Sequence, residues 1–317
     1  MRAIVDQDIT PSDRLTDALP SSWDISVGIE KGDGALLEAV EGVEVVFVTS
    51  RIPMTREVIE HAEDLEIIAK LGTGIDSVDL EAAADHGITV THTPGHNALS
   101  VAEHALCLAL ASARRLPTAR SIIERGEWRD EYPLGTRLSQ STVGIVGFGD
   151  VGKRVASLLS GFNVELYASD PYVPSIDADF SGTELTSLDE TLAASDVVIV
   201  TAELTEETTG LVGAAEFETM KDDAILVNTA RGPVVDETAL LDALESDAIG
   251  GAGLDVYETE PLPSDSSLLD FENVVTTPHV AAMTRASRED TIDQLTANVR
   301  NIVAGDRVAD RYIATSP

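Results

Sequence analysis

Short apolar runs alternate with amphipathic stretches twice along the 317 residues, and that alternation limits the possible folds more than any other feature. In the first hundred residues the runs 2–5, 43–49, 67–70 and 87–91 read as strands, with helical patterns at 13–19, 34–41, 55–62 and 80–86. A second series begins near Ser141, with strand candidates at 142–146, 164–167, 197–201, 224–228, 253–256 and 274–276. Parallel strands cannot be joined by a tight turn, so an element must cross between each pair and the sheet becomes covered on both faces. The pattern therefore predicts two α/β domains, the second with the six strands of a doubly wound nucleotide-binding sheet. A final helical stretch covers 285–304. No repeat or low-complexity linker separates the halves, so boundaries near 100 and 285 rest on the change of pattern.

Between the two series lies a stretch of mostly Ala and Leu, 100–115, with few charges from 105 to 111. A helix apolar nearly all round is expected to be buried, within the subunit or against a second copy. It carries the single cysteine, Cys107, which excludes an internal disulfide and a cysteine-based metal cluster. The reading is a buried structural thiol and no metal site.

Acidic residues outnumber basic ones by 56 to 21, for a formal charge of −35. Binding to nucleic acid or an anionic membrane surface needs a basic face, so neither is expected as a partner. Only Lys31, Lys70, Lys153 and Lys221 are lysines, and the acids are spread along the chain. That texture suits strong brine, where the Debye length shrinks to about 3 Å and carboxylates keep their hydration. The start lacks the apolar core of a signal peptide and no run reaches spanning length, so a cytoplasmic protein of a high-salt organism is expected.

The most informative local motif is Gly147-Phe148-Gly149-Asp150-Val151-Gly152, which follows the apolar strand 143–146 and opens a helix-compatible run at 153–159. In such a loop the first glycine permits the tight turn, the second lets backbone approach a pyrophosphate, and the third lets helix and strand pack closely. The phosphate charge meets the helix N-terminus. Glycines that only turn the chain would explain the loop alone, but the next strand ends at Asp170, 18 residues after Gly152. An acid at about that spacing takes the ribose hydroxyls and favours NAD(H), because a 2′-phosphate would meet its charge. High salt screens that repulsion and leaves room for NADP(H).

A nicotinamide enzyme acting on a ketone needs a proton donor, a group to orient it and a cation for the substrate. Arg231, Glu260 and His279 each follow a strand candidate, at the carboxyl ends where open α/β sheets place ligands. Singly each has an ordinary explanation as a solvated or structural side chain; their shared position argues for a site.

With these residues the chain resembles the D-2-hydroxyacid dehydrogenases of the D-isomer-specific superfamily along nearly its whole length. The resemblance is carried by Gly72-Thr73-Gly74-Ile75-Asp76, Thr93-Pro94-Gly95-His96-Asn97, Ser100-Val101-Ala102-Glu103-His104, the glycine loop, Asn228-Thr229-Ala230-Arg231-Gly232, Gly253-Leu254-Asp255-Val256-Tyr257-Glu258-Thr259-Glu260-Pro261 and Thr277-Pro278-His279. The intervals of 29 residues from Arg231 to Glu260 and 19 from Glu260 to His279 also match the family pattern.

The resemblance implies a Rossmann-type NAD-binding domain, 100–284, and a discontinuous flavodoxin-like substrate domain formed by 1–99 and 285–317. It implies a homodimer and NAD(P)H-dependent reduction of 2-oxo acids to D-2-hydroxy acids. His279 becomes the acid in reduction and the base in oxidation, Glu260 orients it, and Arg231 binds the substrate carboxylate together with the amides of Thr73 and Gly74. Cofactor contacts carried over are Gly147, Gly149, Asp150, Val151, Gly152, Asp170, the Ala202-Glu203 turn, Thr208, Thr229, Ala230 and Asp255.

Some positions depart from the family pattern. Glu203 stands where proline is usual, and Ala281-Ala282-Met283-Thr284 replaces a turn that commonly contains glycine. Glutamate at 260, where related formate dehydrogenases carry glutamine, argues against formate. The end at Pro317, without an added regulatory domain, weighs against phosphoglycerate dehydrogenase, which stays an alternative beside hydroxypyruvate or glyoxylate reductase. A rival from another class is a dinucleotide-sensing protein like the superfamily's co-repressors; no peptide groove is legible in 1–99.

Overall fold

The computed structural model describes residues 1–29 and 33–315, so Lys31 lies outside the described residues. The chain divides into two compact units, Met1–Asn97 with Met283–Pro317, and Ala98–Ala282.

The first unit runs β1 (Arg2–Val5), α1 (Ser12–Ala18), β2 (Asp24–Val27), α2 (Asp33–Val40), β3 (Val45–Val48), α3 (Arg56–His61), β4 (Ile67–Lys70), α4 (Leu80–Asp85) and β5 (Thr89–Thr91). The second runs α5 (Ala98–Ala113), α6 (Leu116–Glu124), β6 (Thr142–Val146), α7 (Asp150–Leu159), β7 (Glu165–Ser169), α8 (Ser175–Asp179), β8 (Thr183–Leu185), α9 (Leu188–Ala194), β9 (Val197–Val200), α10 (Ala214–Thr219), β10 (Ile225–Asn228), α11 (Glu237–Glu245), β11 (Gly251–Leu254) and β12 (Val274–Thr276). The chain then returns to the first unit through α12 (Arg285–Ala304) and β13 (Ile313–Thr315).

The first sheet has the order β13-β5-β4-β3-β1-β2, parallel except for β13, which lies antiparallel on β5. The second has the order β12-β11-β10-β9-β6-β7-β8 and is parallel throughout, the doubly wound order with its switch point between β6 and β9. Central strands of such sheets are buried on both faces and read as unbroken apolar runs. Thus Val46, Val48 and Ile68 enter one core with α2, α3 and α4, while Val45, Phe47, Ile67 and Ala69 enter another with α1 and α12. In the second sheet Val198, Val200 and Leu226 face one core, and Val197, Ile199 and Val227 face the opposite one with α5 and α7.

The expected α/β class is the observed one. Three strands were not legible: β2, β8 and β13 are short, lie at or near sheet edges and lack a continuous apolar run. The strand expected at 253–256 begins and ends two residues earlier, so Asp255 lies beyond it.

The helix expected at 100–115 is two-faced, so burial within the subunit accounts for one face and leaves the other to the alternative of a second copy. Ala98, Val101, Ala102, Ala105, Leu108, Ala109, Ser112 and Ala113 are buried, whereas Leu99, Glu103 and Cys107 form an exposed stripe at four-residue spacing. Cys107 is exposed, contrary to the buried-thiol reading. Its apolar neighbours in sequence concealed that it shares a helical face with Glu103 one turn earlier. Among the described residues no helix is long and apolar enough to cross a membrane.

Candidate active site

The glycine loop joins β6 to α7, and its glycines meet three different demands. Gly147 has φ +89°, and a Cβ there would lie 2.5 Å from the backbone N and Cα of Ala202. A Cβ on Gly152 would lie 2.4 Å from the Gly147 carbonyl, so helix and strand meet at backbone distance. At Gly149 nothing lies within 4 Å of that position, leaving open space beside the loop. Asp150 and Val151 begin α7, whose first amides lack partners within the helix. Asp170 follows β7 and accepts the Phe148 amide at 2.7 Å and the Tyr172 amide at 2.9 Å, which holds the acid against the loop.

On the neighbouring strands, Ala202 backs onto Gly147 and Glu203 is exposed. The Thr208 hydroxyl donates to the Glu203 carbonyl and accepts the Thr205 amide at 2.8 Å, closing that turn. Thr229 and Ala230 follow β10; the Thr229 hydroxyl is buried without a hydrogen-bond partner among the described residues. Open space at Gly149, an acid at the loop and an unsatisfied buried hydroxyl are the features a dinucleotide would use, so these residues fit NAD(H).

At the ends of β10, β11 and β12 the three candidate side chains converge. His279 Nδ1 lies 2.7 Å from Glu260 Oε2, and Glu260 Oε1 accepts the Tyr257 amide at 3.1 Å. A carboxylate only accepts, so Nδ1 carries the proton in this pair and Nε2 is the atom left for exchange. The side chains are 39% and 36% exposed, enough for a ligand to reach them. Burial works to raise the Glu260 pKa; the His279 hydrogen bond and charge, the Tyr257 amide and the Arg231 charge outweigh it and hold the carboxyl below its ordinary value.

Arg231 is brought there by its neighbours. Asn228 Nδ2 donates to the Arg231 carbonyl at 3.0 Å and Asn228 Oδ1 accepts the Ala230 amide at 3.0 Å. The Arg231 Nη1 donates to the Ala230 carbonyl at 2.7 Å. A Cβ on Gly232 would lie 1.9 Å from the Tyr257 carbonyl, so only glycine lets this loop abut the one carrying Glu260. Burial pushes the Tyr257 phenol up to about 12, and its hydroxyl donates to the Thr277 carbonyl at 2.9 Å, with the Leu254 carbonyl 3.2 Å away. A proton-exchanging imidazole, an anchoring carboxylate and a guanidinium together can polarise a carbonyl and deliver a proton to it.

Asp255 is 1% exposed and turns its carboxylate to the backbone around His279, accepting the amides of Val280 at 2.8 Å and Ala281 at 2.9 Å and the Thr277 hydroxyl at 2.6 Å. Thr73 and Gly74 belong to the first unit, beyond β4. There Gly72 has φ +98°, its amide donates to Thr93 Oγ1 at 3.1 Å, and the Thr73 hydroxyl donates to Asn97 Oδ1 at 3.0 Å. Sequence reasoning assigned no part to Tyr257, Phe148 or His104, although all three lie inside quoted motifs.

A family model described as D-isomer specific 2-hydroxyacid dehydrogenase, NAD binding domain, matches residues 106–281. The D-3-phosphoglycerate dehydrogenase of Archaeoglobus fulgidus is 41% identical over 273 residues, 86% of this chain and 50% of that protein. The chain thus spans about half the length of the curated relatives it matches. Among solved structures, the TT0316 protein of Thermus thermophilus superposes with a TM-score of 0.86 at 32% identity, covering 99% of this chain and 100% of that one. A glyoxylate reductase from Paecilomyes thermophila superposes with a TM-score of 0.88 at 29% identity, covering 98% of this chain and 97% of that one. The chain belongs to the D-isomer specific 2-hydroxyacid dehydrogenase family and carries its NAD-binding domain.

Proposed function

We propose that the chain catalyses the reversible reduction of 2-oxo acids to D-2-hydroxy acids with NADH. The observation that carries this reading is the 2.7 Å His279–Glu260 pair under the charge of Arg231, in the same unit as the dinucleotide loop. Bound NADH supplies the hydride to C2 of the oxo acid. His279 Nε2 gives its proton to the carbonyl oxygen, and in oxidation takes it back. Glu260 fixes the ring, while Arg231 binds the carboxylate and polarises the carbonyl. The amides of Thr73 and Gly74 are further candidates for the substrate carboxylate, which assigns substrate binding to residues 1–99 and 285–317 and cofactor binding to 100–284.

Gly147, Gly149, Asp150, Val151 and Gly152 take the pyrophosphate and Asp170 the ribose, with preference for NAD(H) over NADP(H). Ala202, Glu203 and Thr208 border the adenosine; Thr229, Ala230 and Asp255 border the nicotinamide. Within the 2-oxo acids, identity to D-3-phosphoglycerate dehydrogenases favours a phosphorylated substrate as a second, narrower reading. The exposed stripe of α5, together with exposed Leu116, Ile123, Trp128 and Leu134, supports a homodimer. The charge of −35 with four lysines supports a protein that works in high salt.

The test is NADH oxidation in molar KCl with pyruvate, glyoxylate, hydroxypyruvate and its phosphate. Turnover with at least one acid is expected. NADH binding without turnover on any of them would favour a dinucleotide-sensing role instead.

A further inference from the structure

His104 lies on α5, far in sequence from the candidate site, yet helix packing brings it to the same strand ends. Ser112 Oγ donates to the Ala252 carbonyl at 3.1 Å, and a Cβ on Gly253 would touch Leu108 Cβ and Ser112 Oγ at 3.0 Å. The ridge 104, 108, 112 therefore runs antiparallel along β11. Eight helical residues span about 12 Å and three strand residues about 10 Å, so one end of the ridge meets Ala252 and the other Asp255.

There His104 Nε2 lies 3.0 Å from Thr277 Oγ1 and 3.5 Å from Asp255 Oδ1. A threonine hydroxyl has one hydrogen, and the 2.6 Å contact commits it to the Asp255 carboxylate. His104 Nε2 must then be the donor to Thr277, which fixes a relay from His104 through Thr277 to Asp255. Asp255 in turn accepts the amides of Val280 and Ala281, and its backbone carbonyl accepts the His279 amide at 2.8 Å. His279 itself has φ +52°, a conformation an L-residue adopts only when its surroundings hold it.

We propose that His104 is a positioning residue for His279: through Thr277 it orients the Asp255 carboxylate that clamps the turn 279–281. This rests on the reading of His279 as the proton-exchanging group. Without the His104 donor, the Thr277 hydroxyl is free to turn toward the Leu254 carbonyl, 3.4 Å away, and Asp255 Oδ1 loses the shorter of its two hydrogen bonds, keeping the Val280 amide alone. The clamp loosens, and His279 spends less time aligned with Glu260 and the substrate. None of these groups belongs to the glycine loop that takes the pyrophosphate, so NADH affinity should change far less than kcat even though Asp255 borders the nicotinamide.

The experiment compares the full chain with His104→Phe, His104→Gln and Thr277→Val. It reads kcat for 2-oxo acid reduction, the NADH dissociation constant and hydrogen exchange at the Val280 and Ala281 amides. His104→Phe is expected to lower kcat about tenfold or more, with NADH affinity within about twofold, and to speed exchange at both amides about tenfold. Gln, whose side-chain amide can donate to Thr277, should restore most of both. Thr277→Val should repeat the Phe result, and it carries the test if His104→Phe does not fold. Unchanged exchange at Val280 and Ala281 in the folded variants, or equal losses for Phe and Gln, would overturn the proposal. A failure of the acid–base reading is separable: it appears as turnover surviving His279→Ala, whatever the amide exchange.

Discussion

Both units end their parallel strands in a row of loops, but the two rows offer different chemistry. Past β10, β11 and β12 stand side chains, with Arg231, Glu260 and His279 held by one another and by the buried Asp255. Past β4 stands a backbone segment, where Gly72 turns at φ +98° and Thr73 spends its hydroxyl on Asn97 and its carbonyl on His92 Nδ1 at 2.8 Å. A site built of side chains is erased by single substitutions; a site built of amides survives them. On the reading proposed above, proton exchange and the guanidinium belong to the first row, and the second would add only backbone amides.

The largest effect is expected at His279. His279→Ala should lower kcat by about 10²–10⁴-fold while NADH affinity changes little, because its part is proton transfer. Equal loss of both, measured by steady-state rates and NADH titration, would break the contrast. Next, Arg231→Gln should lower kcat/KM by about a hundredfold or more, mostly through KM for the oxo acid, since the lost guanidinium is a charged donor to a carboxylate. A loss confined to NADH binding would show that Arg231 serves the cofactor.

Asp255 is the intermediate case, a side chain whose task is to hold backbone. Burial works to raise its pKa, but the His104, Thr277, Val280 and Ala281 hydrogen bonds outweigh this and leave it below the ordinary 3.8. A depressed carboxyl contributes stability that is complete above the ordinary value and is lost as pH falls through the folded one. Asp255→Asn should therefore cost about 2 kcal/mol near neutrality and make the urea midpoint less sensitive to acid below pH 3.8. Equal acid sensitivity in both proteins would mean that other carboxylates dominate. The smallest effect is expected at Thr73→Ala, within about threefold in KM, because the amide remains. A loss above about tenfold would show that the hydroxyl, not the backbone, binds.

What could be read from the chain depended on whether each residue's constraint was local. The glycine loop was legible because a positive φ at Gly147 and a backbone contact at Gly152 both demand glycine within six residues of sequence. Helix α12 was legible to the residue, bounded by Thr284, whose side chain accepts the Ser287 amide, and by Gly305 at φ +72°. Thr183–Leu185 and Ile313–Thr315 left no pattern, since three residues at an edge need no apolar run. The site side chains showed through their strand-end positions, but their support did not. His104 and Thr277 are 173 positions apart, and only the packing of α5 on Gly253 makes them neighbours.

The exposed stripe on α5 has a practical consequence. Because the chain has one cysteine and it lies on that stripe, a maleimide fluorophore or nitroxide will attach at a single position, three residues from His104. If a second copy covers the stripe, labelling will slow as protein concentration rises, and the thiol becomes a built-in gauge of assembly in brine or dilute buffer alike.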